Sequence, residues 1–214
     1  MSDKDPTQSG RKPDAERTRR DILAVAREEF VEHGLSGARV DAIALRTATT
    51  KRMIYYYFGS KEGLYTAVLE QAYAGIRSAE SELAHAALDP ESAIRCLIEA
   101  TFDYDDAHPD FVRLVAIENI NQGAYLDRLD TIRQTNAEII TTLSDILERG
   151  RATGVFRRAV DPVDLHLMIS ALCFFRVSNQ HTFSAIFGRD PRTPEVRRAH
   201  RLMVVECVMS YLKQ

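Results

Sequence analysis

The chain has 214 residues, 45% of them hydrophobic, with 7 Pro and 10 Gly, which allows a substantial core in one large domain or in a small domain joined to a larger one. A net charge of −3 argues against wholesale polyanion binding, yet residues 1–66 carry 12 Lys and Arg against 10 Asp and Glu while the remainder carries 16 against 21. The three cysteines, Cys96, Cys173 and Cys207, are far apart and form no CxxC pair, which argues against a disulfide framework or a zinc site and reads as small buried hydrophobes in a reducing cytoplasm.

Residues 1–13 are polar, contain Pro6, Gly10 and Pro13, lack a signal-peptide core and read as a flexible arm. Asp14 is placed to cap a first helix on which Ile22, Leu23, Ala26 and Phe30 share a face, with Gly34 ending it. A turn at Ser36-Gly37 precedes a short second helix marked by Val40, Ile43 and Ala44. Thr47–Thr50 is a break, and a third helix follows over Lys51–Phe58, ended by Gly59. Ser60 caps a fourth helix from Lys61, whose apolar stripe is Leu64, Val68, Leu69 and Tyr73.

Pro90 opens the next helix, with Ile94, Leu97, Ile98 and Phe102 at helical spacing, and His108-Pro109 breaks the chain before a helix over Phe111–Ile120. Beyond Gly123, the series Leu126, Leu129, Ile132, Ile139, Leu143, Ile146 and Leu147 predicts one long helical stripe ending at Gly150–Gly154. Asp161-Pro162 starts a helix that is expected to run to Phe187, and after a loop the last helix covers Glu195–Leu212. The longest apolar run, Leu165–Phe175, contains His166 and is ended by Arg176, too short to span a membrane. The fold class is therefore all-α. The domains read as the arm 1–13, a small helical domain 14–60 and a larger helical domain 61–214.

The segment VDAIALRTATTKRMIYYYFGSK carries the function. Short helix, tight turn and short helix fit a helix-turn-helix, whose second helix enters the major groove. Ile43, Ile54 and Phe58 supply the apolar pins between the helices, and Thr49 or Thr50 caps the recognition helix. Lys51 and Arg52 fall in its first turn, where base edges are met; Arg is the natural reader of guanine, and Met53 suits a thymine methyl. Tyr55, Tyr56 and Tyr57 point about 100° apart, so at least one ring faces outward where its hydroxyl can meet phosphate. Lys61 is a further phosphate clamp.

The stretch KRMIYYYFGSKEGLY resembles the signature of TetR-type regulators, and Arg17–Gly34 and Val40–Arg46 fit the same pattern at the right distances. The resemblance implies a three-helix DNA-binding domain, a larger effector-binding and dimerising domain, and a dimeric repressor that leaves a near-palindromic double-stranded DNA operator when a small molecule binds. It places Arg39, Thr50, Lys51, Arg52, Met53, Tyr55, Tyr56, Tyr57 and Lys61 on the DNA face, while Arg11, Lys12, Arg17, Arg19 and Arg20 are either an unstructured arm, the simpler reading, or further phosphate or minor-groove contacts. Two positions depart from the family: Ala48-Thr49 stands where Gly-Val is usual, and Arg52 where Gly is common. If the turn keeps its geometry, Ala48 costs about 1 kcal/mol at positive φ.

HPDFVRLVAIEN and DPVDLHLMISALCFF are similar to a TetR subgroup that includes a regulator of pyrimidine utilisation. That resemblance implies a pocket lined by Ser170 and Phe174, with Ile76, Phe102, Asn119 and Tyr125 as further candidates. Arg176 and His181 interrupt an apolar helix and are ligand handles or structural pairs. The last two helices, apolar on nearly every side, belong to a dimer interface or to the monomer's core. No GxSxG, GxGxxG, Walker or HExxH motif is present, so no enzyme and no cofactor is expected. The acidic run Asp103, Asp105, Asp106 and Asp110 is a solvated helix end or a divalent-metal site. Two rivals remain: a ligand-sequestering protein with a vestigial DNA motif, and a DNA-binding protein with a solid, effector-free C-terminal core.

Overall fold

The computed structural model describes residues 11–84 and 88–214, with side chains from Asp14 to Glu80 and from Leu88 onward. Helices fill it, and the described residues contain no strand. The chain divides into two compact units, Met1–Gln71 and Ala72–Gln214.

The first unit holds α1 (Arg11–Gly37), α2 (Val40–Arg46), α3 (Lys51–Phe58) and the first half of α4 (Lys61–Ala84). Residues 1–10, most of the expected arm, lie outside the described residues. Arg11–Pro13 are helical, so Asp14 does not cap α1 from outside. It sits in the first turn, where a carboxylate complements the helix dipole, and pairs with Arg17 at 2.9 Å. Gly34 has φ 65° and ψ 177° and breaks the helical path inside α1, a conformation that needs glycine. Ile22, Ala26 and Phe30 of α1, Ile43 of α2, Ile54 of α3 and Leu64, Tyr65, Val68 and Leu69 of α4 close the core. The Phe30 and Tyr65 rings meet edge to face at 5.1 Å.

The second unit holds the rest of α4, then α5 (Pro90–Ala107), α6 (Pro109–Ile120), α7 (Asp130–Ala152), α8 (Pro162–Ser178), α9 (Gln180–Phe187) and α10 (Pro194–Lys213). The boundary between the units falls inside α4, not at Lys61. Helix α5 packs against α7, α8 and α10, and one apolar cluster joins them around Ile98, Leu143, Leu165, Val208 and Leu212. Asp89 and Asp161 cap α5 and α8 through their carboxylates, each followed by Pro at the first helical position.

Two expected helices are broken. Leu126 and Leu129 precede α7: the chain leaves the positive-φ pair Gln122 and Gly123, makes a single 3-10 turn over Leu126–Arg128, and only then becomes α-helical. The buried Glu118 carboxylate accepts the Tyr125 and Leu126 N–H groups at 2.8 and 3.4 Å, which commits them to a turn. The helix from Pro162 stops at Ser178, where the Asn179 amide donates to the Phe175 carbonyl at 3.3 Å, and α9 restarts beyond it.

Candidate nucleic-acid interface

Helix α3 is an eight-residue rod buried by a single residue, Ile54, which leaves most of its circumference outside the protein. Thr50 is its cap: the hydroxyl accepts the Met53 N–H at 3.2 Å, and the positive end of the helix dipole lies at the exposed run Thr50–Met53. Tyr56 is 78% exposed, Tyr55 is also exposed, and Tyr57 is half-buried with its ring edge-on to Tyr56 at 5.5 Å. Ile43 and Ile54 act as buried pins, as their spacing predicts. Phe58 is only half-buried and carries the Arg19 guanidinium over its ring at 5.3 Å, so Arg19 lies on the body of the unit.

Polar contacts fix the angles between these helices. The buried Glu29 carboxylate accepts the Arg39 backbone N–H at 2.9 Å, holding the start of α2 against α1, while the Arg39 side chain stays exposed. Arg46 pairs with Glu28. Lys61 donates to the Ser36 carbonyl at 3.2 Å, and Lys51 pairs with Asp41 at 3.2 Å. Pairs this exposed are worth little in water, so phosphate can compete for either ammonium. Ala48, between α2 and α3, has φ 49°: the turn keeps its left-handed geometry without glycine.

Sequence reasoning missed Glu28, Glu29 and Asp41. Glu29 left a trace: Ile22, Ala26, Glu29 and Phe30 fall on one helical face, so an acid occupies a core position.

The six residues named for the effector all lie in the second unit. Ile76 and Phe102 are buried; Tyr125, Ser170 and Phe174 are half-buried; Asn119 is exposed and bonds the Val115 carbonyl at 3.0 Å. A cleft of about 520 Å³ lies among Tyr73, Gln122, Gly123, Leu126, Asp127, Ile132, Arg133 and Asn136. Within the acidic run, Asp103 and Asp106 are engaged by arginines of α8 and α10. Asp103 accepts from Arg197 and Arg201 at 2.6 and 2.9 Å and Asp106 binds Arg176 and Arg197, so these two tie α5 to α8 and α10, while Asp105 between them is buried. Arg176 is buried, with its guanidinium on Asp106, the Pro191 carbonyl and the Phe102 ring, which makes it a structural pair. Cys207, expected inside, is exposed, while Cys173 is buried. Among the described residues no helix is long and apolar enough to cross a membrane.

Comparison with known proteins follows these two units. A family model described as "Bacterial regulatory proteins, tetR family" matches residues 22–68, and one described as "Tetracyclin repressor-like, C-terminal domain" matches residues 90–208. The HTH-type transcriptional repressor NicS of Pseudomonas putida is 40% identical over 176 residues, covering 82% of this chain and 83% of its own. The HTH-type transcriptional regulator RutR of Escherichia coli O157:H7 is 33% identical over 154 residues, 70% of this chain and 69% of its own. The solved structure of transcriptional regulator SCO4942 from Streptomyces coelicolor has a TM-score of 0.69 and 30% identity, with 89% of this chain and 97% of that one covered. The chain belongs to the TetR family of transcriptional regulators.

Proposed function

We propose that the chain is a homodimeric cytoplasmic repressor that holds a near-palindromic operator through two copies of α3 and releases it when a small molecule enters the second unit. The observation that carries this is the cationic, aromatic and outward-facing surface of α3 beside a capped N-terminus. Lys51 and Arg52 read bases from the first turn; Met53 meets a thymine methyl. Thr50, Tyr55, Tyr56, Tyr57, Arg39 and Lys61 hold the backbone. Repression is the action named for the P. putida relative.

The dimer face is formed by α8 and α10. Val163, Leu167 and Phe175 on one and Leu202 and Met203 on the other are exposed apolar side chains, and a second copy of the same surface is the partner that covers them by two-fold symmetry. The effector occupies the interior of the second unit, where Ile76, Phe102, Tyr125, Ser170 and Phe174 are buried or half-buried. Its binding shifts the spacing of the two α3 helices only in so far as it favours one spacing over the other.

Fluorescence anisotropy against the chain's own promoter region tests the reading. Preference over scrambled duplex at moderate salt is expected. Arg52→Ala should cost about 1–3 kcal/mol of specific binding, while Lys61→Ala should weaken all sequences equally and lower the salt slope by about 1. No preference for the promoter would refute the proposal. Phe175→Glu should yield a monomer in sedimentation and abolish tight operator binding.

A further inference from the structure

In the core of the second unit two carboxylates are buried, and the nearest cation on α4 pairs with only one of them. Glu80 on α4 is 2% exposed and Asp105 on α5 is 3% exposed. Arg77, on the same face of α4, pairs with Glu80 at 2.5 Å, and the Thr101 hydroxyl donates to Glu80 at 3.2 Å. Asp105 Oδ1 is enclosed and has no hydrogen-bond partner. An ionised carboxylate in that position is costly, because no protein donor reaches its enclosed Oδ1 to replace lost solvation.

The groups around Asp105 leave that shortage in place. From α8, Arg176 attracts it, but the guanidinium is bonded to Asp106 and the Pro191 carbonyl. Cys173 is a buried thiol pushed up to about 12 by burial, and His166, 3.3 Å from Arg77, is pushed down to about 4 by burial and that positive charge, so both are neutral. From α10, Arg197 and Arg201 are held by Asp103, Asp106 and Glu99. Helix α6 offers Glu118, a further acid, and α7 turns Ile139, Leu143, Ile146 and Leu147 inward. Tyr73 on α4 is a neutral phenol, raised further by burial.

We infer that Asp105 is a proton-binding site that governs how α4 packs in the effector unit, so that this regulator's hold on DNA changes with pH. The output rests on the DNA-binding reading above; the proton site does not. With the proton bound, Asp105 is a neutral acid and Arg77 belongs to Glu80. Without it, two buried acids repel and compete for Arg77. Both Arg77 and Glu80 ride on α4, whose first half belongs to the DNA-binding unit.

Burial, and then the charge of Glu80, lift Asp105 from 3.8 to about 7. A raised carboxylate binds more protons folded than unfolded. Its contribution is therefore full below 3.8 and is lost as pH rises through 7. The test compares the full-length protein with Asp105→Asn, which imitates the acid form, by thermal unfolding and promoter anisotropy at about pH 6 and about pH 8. The wild type should lose Tm relative to the Asn variant between these values, and its operator affinity should fall about fivefold or more while that of the variant stays level. Infrared spectra of the wild type should show a protonated buried carboxyl at the lower pH that disappears at the higher one; this decides the matter if the variant does not fold. Parallel Tm profiles, or no such band, overturn the site. A titrating carboxyl with pH-independent operator affinity overturns the coupling, and a titrating carboxyl in a protein that never binds DNA refutes the DNA-binding reading and the coupling while the proton site stands.

Discussion

Replacing Ala48 by Gly should stabilise the protein. The residue links α2 to α3 at φ 49°, in the left-handed region, and its side chain is exposed, so removing the methyl group gives up no buried contact. An L-residue there costs about 1–2 kcal/mol. Glycine escapes that cost but loses about 0.4–1 kcal/mol through the greater freedom of the unfolded chain. The difference lies between about 0 and 1.6 kcal/mol in favour of glycine, with a central value of about 0.8 kcal/mol. With no Trp in the chain, urea unfolding followed by far-UV circular dichroism is the suitable assay. At a slope of about 2 kcal/mol per molar, the midpoint should rise by about 0.4 M with the slope unchanged. Ala48→Val gives the opposing arm: a β-branched residue at positive φ should lower the midpoint by more than glycine raises it. Operator affinity should stay the same in Ala48→Gly, because the angle between α2 and α3 is already the one glycine would adopt. A destabilising glycine, or a tolerated valine, would show that the turn is not left-handed and that the positions given to Lys51 and Arg52 are wrong.

Two other substitutions probe the second unit. Gly150 on α7 lies directly beneath the buried Phe156 ring, so Gly150→Ala should destabilise by about 1–3 kcal/mol through overpacking, with Phe156→Leu relieving part of the loss in a double-mutant cycle measured by thermal unfolding. Glu118→Ala removes the acceptor of the Tyr125 and Leu126 N–H groups; at about 2 kcal/mol for the better bond, hydrogen exchange at Tyr125 should quicken roughly thirtyfold, and an unchanged rate would show that the carboxylate does not hold the turn.

These residues also show what the sequence makes legible. The first unit can be read almost completely because its signals are local: Gly34 and Gly59 at positive φ, Thr50 at a cap, Ile43 and Ile54 at pin spacing. The breaks at Leu129 and Asn179 are less visible. Apolar spacing continues through both, and the competing hydrogen bonds come from one residue far along the chain and one side chain beside the break. The effector residues could not be placed, because a pocket depends on which helix faces meet, and helical period fixes only which face of each helix is apolar.

One signal was present and unused. Glu29 follows Ile22 and Ala26, Glu80 follows Ala72 and Ile76, Asp105 follows Ile98 and Phe102, and Glu118 follows Phe111 and Leu114, each at the next step of a buried helical stripe. A charge there leaves the helix two options: rotate the stripe away or supply a donor inside the core. Glu29 takes a backbone N–H, Glu118 takes two, and Glu80 takes Arg77 and Thr101. Glu80 Oε2 also lacks a hydrogen-bond donor but has the Arg77 guanidinium beside it, whereas the enclosed Asp105 Oδ1 has neither a donor nor an ion pair. The same argument that reads three of these acids as structural therefore singles out the fourth as the one whose charge the fold cannot hold constant.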